Sequence, residues 1–318
     1  YQPLYPILLS IAYVFKDMQL VYLAMKLINA IISTLIIMPA YFLAKEFLDS
    51  KKSFLVTVII AIFPSNFIFP NYLMAENLFY PLFLAAFYFI YKAFTSASIK
   101  YQIAAGIFSS LALLTKTNAV VIMLTPLAFF MINSIINKTQ IKENEKKLVP
   151  LYLTAAIIYS PWLIRNLISF NSLFSYNTLS DVTAYSRHEN YILPLINWII
   201  LYIGYIILAS AIIFGVSAFI GIIKNYRTAA KEGIFHLLSA IVISLAILVA
   251  ANHATGALLY KTPITFFTER PIGRYVDTVL PLVFILGFKG LYIIKKEENK
   301  AFLLKTCLGI SALMAFSA

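Results

Sequence analysis

Charge is scarce in this chain. Asp, Glu, Lys and Arg make up 12% of its 318 residues, about half the share found in an ordinary soluble domain. Hydrophobic residues reach 61% and the mean hydropathy is +0.86. So few charges cannot cover a water-facing surface of this size, so the solvent is largely lipid. Cysteine is nearly absent, and the single Cys307 excludes a disulfide framework and a thiolate metal cluster. There is no His-Glu-x-x-His pair and no glycine-rich phosphate loop, which removes the commonest metal and nucleotide signatures. The alternating segments of about ten residues that mark an outer-membrane barrel are missing too. Acidic residues are outnumbered 13 to 25, for a net charge of +12. The positive charges lie scattered between apolar runs and are not gathered on one face, which argues against nucleic acid as a partner.

The chain is instead rich in long apolar runs, several of them near the roughly 20 residues needed to cross a bilayer as a helix. Runs at 18–43, 54–69, 78–94, 103–114, 119–136, 148–164, 198–223, 234–251, 276–294 and 301–318 predict an all-α polytopic membrane protein with roughly ten transmembrane helices. The stretch 1–16 reads as interfacial. The expected organisation is a single transmembrane domain over residues 1–318. If the segment Lys45 to Lys52 is cytoplasmic, about 16 of the 25 Lys and Arg fall on that side, which the positive-inside rule favours. Glu76 is then extracytoplasmic. So are two longer loops, 169–197 and 252–274, expected to be partly helical and carrying Asp181, His188, Glu189, His253, Glu269 and Arg270 among many aromatics. A pairing of acid, base and aromatic groups on one face suggests a site there; wetted caps with an aromatic belt are the alternative. His188-Glu189 is a weak signal by itself. The sequon Asn137-Lys138-Thr139 falls on the inner side and is set aside.

Four places could carry chemistry. Glu76 opens a helix within Pro70 to Pro81. A first-turn carboxylate is stabilised by the helix dipole, and that alone accounts for it. It also suits a carboxylate facing a cleft, able to orient a sugar hydroxyl or hold a cation. Lys116 sits in Leu113-Leu114-Thr115-Lys116-Thr117-Asn118, a polar break between two apolar runs. It either snorkels to the interface or holds an anion such as phosphate. Arg165, in Pro161-Trp162-Leu163-Ile164-Arg165-Asn166, is an interface anchor or a further cation. Arg270 and Arg274, four residues apart around Pro271 and Gly273, either pair with Glu269 and Asp277 or offer a fork of donors to a phosphate.

Taken in order, these pieces resemble the GT-C glycosyltransferases that use polyprenyl-phosphate sugars, in the branch of the protein O-mannosyltransferases and aminoarabinose transferases. Tyr1 to Leu9 is similar to the family's "PPLYP-LL" stretch. Asn71 to Leu78 resembles the segment with its second acidic residue, and Leu111 to Asn118 its "LALLTK" turn. Pro161 to Asn166 matches "PW-IRN". Arg274 to Pro281 resembles "RY--P-LP", with Thr278 near the place of the first Pro. The resemblance implies a GT-C-like fold and an integral enzyme of the plasma membrane. That enzyme would move a hexosyl or pentosyl group from a polyprenyl- or dolichyl-phosphate donor to an acceptor hydroxyl on a protein, lipid or glycan, at the extracytoplasmic face. It implies Lys116, Arg270, Arg274 and Arg165 as donor-phosphate ligands and Glu76 as a second carboxylate. It names no certain cofactor. A divalent metal is admitted, with Glu76 its one candidate ligand. The family's catalytic Asp precedes the stretch matched by residues 1–9, so it is expected upstream of Tyr1, in a first helix and outer loop this fragment does not carry; a C-terminal domain is a further candidate omission. Asp17 follows the motif and does not inherit that role. A secondary transporter or lipid flippase, favoured by Lys26 and the break at Thr115 to Asn118, and a non-catalytic envelope-assembly protein stand as alternatives.

Overall fold

The structure, a computed structural model, describes residues 2–96, 98–136, 141–171, 191–227, 231–258 and 272–296, with Lys305 and Gly309. The expected span at 301–318 apart from Lys305 and Gly309, residues 172–190 of the loop 169–197 with Asp181, His188 and Glu189, and Glu269 and Arg270 lie outside these residues. The described residues are helical, with no strand among them, and match the expected all-α class. They fall into two compact units. The first comprises Tyr1–Leu173 and Arg227–Leu238, the second Phe174–Tyr226 and Ser239–Ala318.

In the first unit, α1 (Leu4–Leu9) and a 3-10 turn lead to α2 (Met18–Thr34) and α3 (Ile37–Lys45). Asp17 caps α2, its Oδ1 accepting from the Gln19 N–H at 2.8 Å. The chain then runs through α4 (Ser50–Ala61) and α5 (Pro64–Ile68), which bend by 57° at the break before Pro64. Next come α6 (Glu76–Thr95), α7 (Ile99–Thr115), α8 (Val120–Ile136) and α9 (Ile141–Phe170). The centre is α6. Of its most apolar window 72% is buried, against 22% for both the α2–α3 and the α9 spans. In a lipid solvent the exposed apolar faces of the outer helices need no protein cover, so burial, and not hydropathy, separates core from periphery.

The helices α6 and α7 form a tight antiparallel hairpin, with Phe89 of α6 stacked on Phe108 (5.0 Å) and Tyr101 (6.5 Å) of α7. On its other side α7 meets α9 at Gly106, where a Cβ would stand 2.4 Å from the Leu151 carbonyl oxygen and 2.9 Å from Thr154. Ser110 closes the same seam by donating to the Ala155 carbonyl at 3.1 Å. Small residues are what let membrane helices approach this closely. At the far end of the hairpin Lys92 pairs with Glu46 at 2.9 Å, and the buried Lys147 donates to the Phe94 carbonyl at 3.2 Å.

The second unit contains α10 (Ile192–Ala209), α11 (Ile213–Asn225), most of α12 (Lys231–Leu258) and α13 (Leu280–Lys296). The expected single span 198–223 is broken. Ala211 and Ile212 take φ of 55° and 52°, a left-handed conformation unfavourable for a β-branched residue. Ser210 turns its hydroxyl back on the Ile206 carbonyl at 2.7 Å. Beyond the break α11 packs along α13, where a Cβ at Gly290 would lie 2.1 Å from the Ser217 carbonyl oxygen. By length and composition six helices can cross a membrane, or seven counting the bent α4–α5 pair, among the described residues. The remainder of the expected ten includes α7 and α11, which are apolar but shorter.

Two outcomes check this packing. Gly106→Val has no room against the α9 backbone, so it is expected to cost about 1–3 kcal/mol of stability, read as a lower melting temperature in detergent. At the start of α4, the side chain of Lys52, and next its backbone N–H, hold the Asp49 carboxyl below the usual carboxylate range. A lowered folded-state pKa means stabilisation that is full above the unfolded value of about 4 and is lost as pH falls through the folded one. Amide exchange at residues 50–53 is expected to speed up only in that acid window, and Asp49→Ala to abolish the transition.

Candidate functional site

The open end of the α6–α7 hairpin brings together two of the residues singled out above. Glu76 is the first residue of α6 and Lys116 the first after α7. Lys116 is extended, with φ −155° and ψ 136°, because its amide still bonds to the Ala112 carbonyl while Thr117 starts a new 3-10 turn. The break throws its side chain toward α6, where Nζ meets Glu76 Oε1 at 2.7 Å. The carboxylate side chain is 6% exposed and the lysine side chain 17%. Nζ also lies 5.7 Å from the centroid of the buried Phe79 ring, a cation–π distance. Expected separately as a helix-start acid and an anion-binding cation, the two form a partly buried ion pair.

The backbone ahead of Glu76 is irregular, and side-chain amides add donors to its carbonyls. Asn77 donates from Nδ2 to the carbonyls of Phe69 (3.1 Å) and Tyr72 (3.0 Å). Asn29, fully buried in α2, donates to the same Tyr72 carbonyl at 3.1 Å and accepts from the Tyr5 hydroxyl at 3.0 Å. Asn66 donates to the Ile60 carbonyl at 2.7 Å across the α4–α5 bend. At membrane depth each such carbonyl must find a donor, and these side chains supply one. Beside Glu76 and Asn77 lies a small recess, bounded also by Ser33, Ser65, Asn66 and Tyr80. The buried Asn77 Oδ1 has no hydrogen-bond partner among the described residues.

Arg165 stands apart in kind. It is exposed, bonds to Asn166 Oδ1 at 3.2 Å, and has Trp162 and Phe170 ring centroids each 4.8 Å from its guanidinium carbon. That is the geometry of an interface anchor. In the second unit, Arg274 is exposed on a 3-10 turn with its guanidinium 5.5 Å from the Tyr275 ring. The Tyr275 hydroxyl lies 2.9 Å from His253 Nε2. Asp277, 4% exposed, accepts from the Tyr205 hydroxyl at 2.7 Å. In the sequence Asp277 entered only as a partner for arginine. Its burial next to a tyrosine 72 residues away leaves no local signature. For metals, no three His, Cys, Asp or Glu side chains come together among the described residues.

The pattern of the dolichyl-phosphate-mannose-protein mannosyltransferases matches residues 3–164, just over half of the chain. Glu76 and Lys116 lie inside that stretch, Arg165 and Arg274 beyond it. No curated protein is significantly similar in sequence. Among solved structures, ArnT from Cupriavidus metallidurans bound to undecaprenyl phosphate superposes with a TM-score of 0.63 at 12% identity, over 99% of this chain and 53% of that one. The apo form of the same protein gives 0.57 at 13% identity, over 99% and 52%. At these identities the likeness is one of fold, and the chain spans about half the length of the structures it matches.

Breaking the pair from one side should be costly. Lys116→Met leaves Glu76 a buried carboxylate without its cation. The expected loss is about 3 kcal/mol, the low end for a buried pair, since Lys116 keeps some exposure. The double variant Glu76→Gln, Lys116→Met should recover most of it. Equal melting temperatures for wild type and Lys116→Met would show the pair to be energetically idle.

Proposed function

The chain belongs to the dolichyl-phosphate-mannose-protein mannosyltransferase family, and from that premise we propose that it forms the membrane part of an enzyme moving a sugar from a polyprenyl- or dolichyl-phosphate donor to an acceptor hydroxyl at the extracytoplasmic face. The observation that carries this reading is the Glu76–Lys116 pair, set within the family-matched stretch at the end of the most buried helix hairpin. In such a transfer the bond from the anomeric carbon to the phosphate oxygen breaks, and a bond to the acceptor oxygen forms. The proton leaves the acceptor for a general base, a role no residue of this chain is assigned. Negative charge grows on the departing lipid phosphate. A cation already in place, with little water to screen it, stabilises that charge far more than the same cation in water.

Lys116 is suited to the task. An ammonium on a flexible stem is a point charge that can follow the phosphate as its charge redistributes. Arg274 and Arg270 would serve as further phosphate ligands and Arg165 as an outer cation. Glu76 would hold Lys116 in place and orient a hydroxyl of sugar or acceptor. A likeness in fold to a protein solved with undecaprenyl phosphate supports a lipid phosphate as part of the donor.

The test uses the full-length protein in vesicles with a set of radiolabelled polyprenyl-phosphate sugars. Transfer to an acceptor is expected from at least one donor, and Lys116→Ala should lower kcat about 10²–10³-fold, as loss of one charge-stabilising donor does elsewhere. Lipid crossing the bilayer with no sugar transferred would replace this reading by a flippase. Unchanged turnover in Lys116→Ala would remove Lys116 from the chemistry.

A further inference from the structure

We propose that Glu76 is a product-release residue, competing with the lipid phosphate for the Lys116 ammonium. The inference rests on the transfer reading above and adds a role for the pairing itself. Lys116 is occupied in the structure: its Nζ stands 2.7 Å from the Glu76 carboxylate. Yet it is not sealed in, since 17% of its side chain remains exposed, so a second anion can reach it.

Glu76, by contrast, is held in place. It occupies the first turn of α6, where the helix dipole favours a carboxylate. Asn77 and Asn29 fix the preceding backbone through the Tyr72 carbonyl, so the carboxylate cannot swing far. A phosphate that binds Lys116 therefore settles close to a fixed negative charge. The pair as a whole is neutral. It attracts an anion through the near ammonium and repels it through the carboxylate behind.

The two lipids of the reaction differ in charge. The sugar donor is a phosphodiester carrying one negative charge. The product is a phosphomonoester, whose charge near neutral pH is about −1.5 to −2. Removing the Glu76 charge raises the local charge by one. The attraction so gained scales with the ligand's own charge, so it grows nearly twice as much for the product as for the donor. Glu76 thus weakens the product selectively, and the lipid phosphate leaves as the carboxylate takes Lys116 back.

The experiment measures the affinity of the full-length protein, in nanodiscs, for a polyprenyl phosphate and for the matching polyprenyl-phosphate sugar. Wild type is compared with Glu76→Gln and Glu76→Ser, both neutral, and with Glu76→Asp. The neutral variants should bind the polyprenyl phosphate about tenfold tighter or more, the lower end of couplings between close charges. The gain should be smaller for the sugar donor and should shrink at high salt, and Glu76→Asp should stay near wild type. A damaged fold would weaken binding, so a gain in affinity separates the two causes. If wild type binds the polyprenyl phosphate and neither neutral variant binds it tighter, Glu76 is not a competitor. If neither wild type nor the variants bind it at all, the transfer reading itself falls, and this inference with it.

Discussion

The ion pair between Glu76 and Lys116 is the constraint around which the first unit is arranged. A lone carboxylate or ammonium in an apolar setting is expensive, and pairing recovers that loss only when geometry is good. Here geometry comes from two helix ends that the α6–α7 hairpin brings side by side. The hairpin in turn is held by stacked aromatics along its length and by the close α7–α9 seam at Gly106. A charge pair at one end, and the Lys92–Glu46 pair at the other, fix the same hairpin from both sides. Both charge pairs sit at helix ends.

The carboxylate is delivered by backbone that is not helical. Between α5 and α6 the chain turns through a 3-10 segment and a short extended stretch, where the Phe69 and Tyr72 carbonyls accept from the Tyr72 and Met74 N–H groups. Each carbonyl has a second lone pair. In lipid, where no water can use it, Asn77 donates to both carbonyls and Asn29 to that of Tyr72. The consequence is mechanical. An irregular segment tied by two buried amides, Asn29 and Asn77, gives the first residue of α6 a defined position.

Much of this was legible in the sequence. The scarcity of charge dictated the membrane class. The break at Thr115 to Asn118 and the helix start at Glu76 could be read because polar residues interrupt apolar runs there, and both fall where the structure has them. Their pairing could not be read: nothing local ties residues 40 apart. The same limit hid the Asn29–Tyr72 and Tyr205–Asp277 contacts. The break at Ser210–Ile212 was missed for another reason. The residues around it, Leu208 to Ile213, contain no Gly or Pro, and an Ile at positive φ is a conformation that sequence rules count as disfavoured.

The same physics connects rest and work. A site for an anionic lipid must attract phosphate, yet in a low-dielectric setting an uncompensated cation would be costly to maintain and hard for the product to leave. Partnering the ammonium with a carboxylate settles both demands. At rest the two charges cancel. In the proposed transfer a phosphate would share the ammonium while the carboxylate keeps its place at the helix start. An arginine at position 116 would bind both anions in a bidentate fork and surrender neither readily. A lysine would exchange between them more readily, as the proposed turnover of a charged lipid requires.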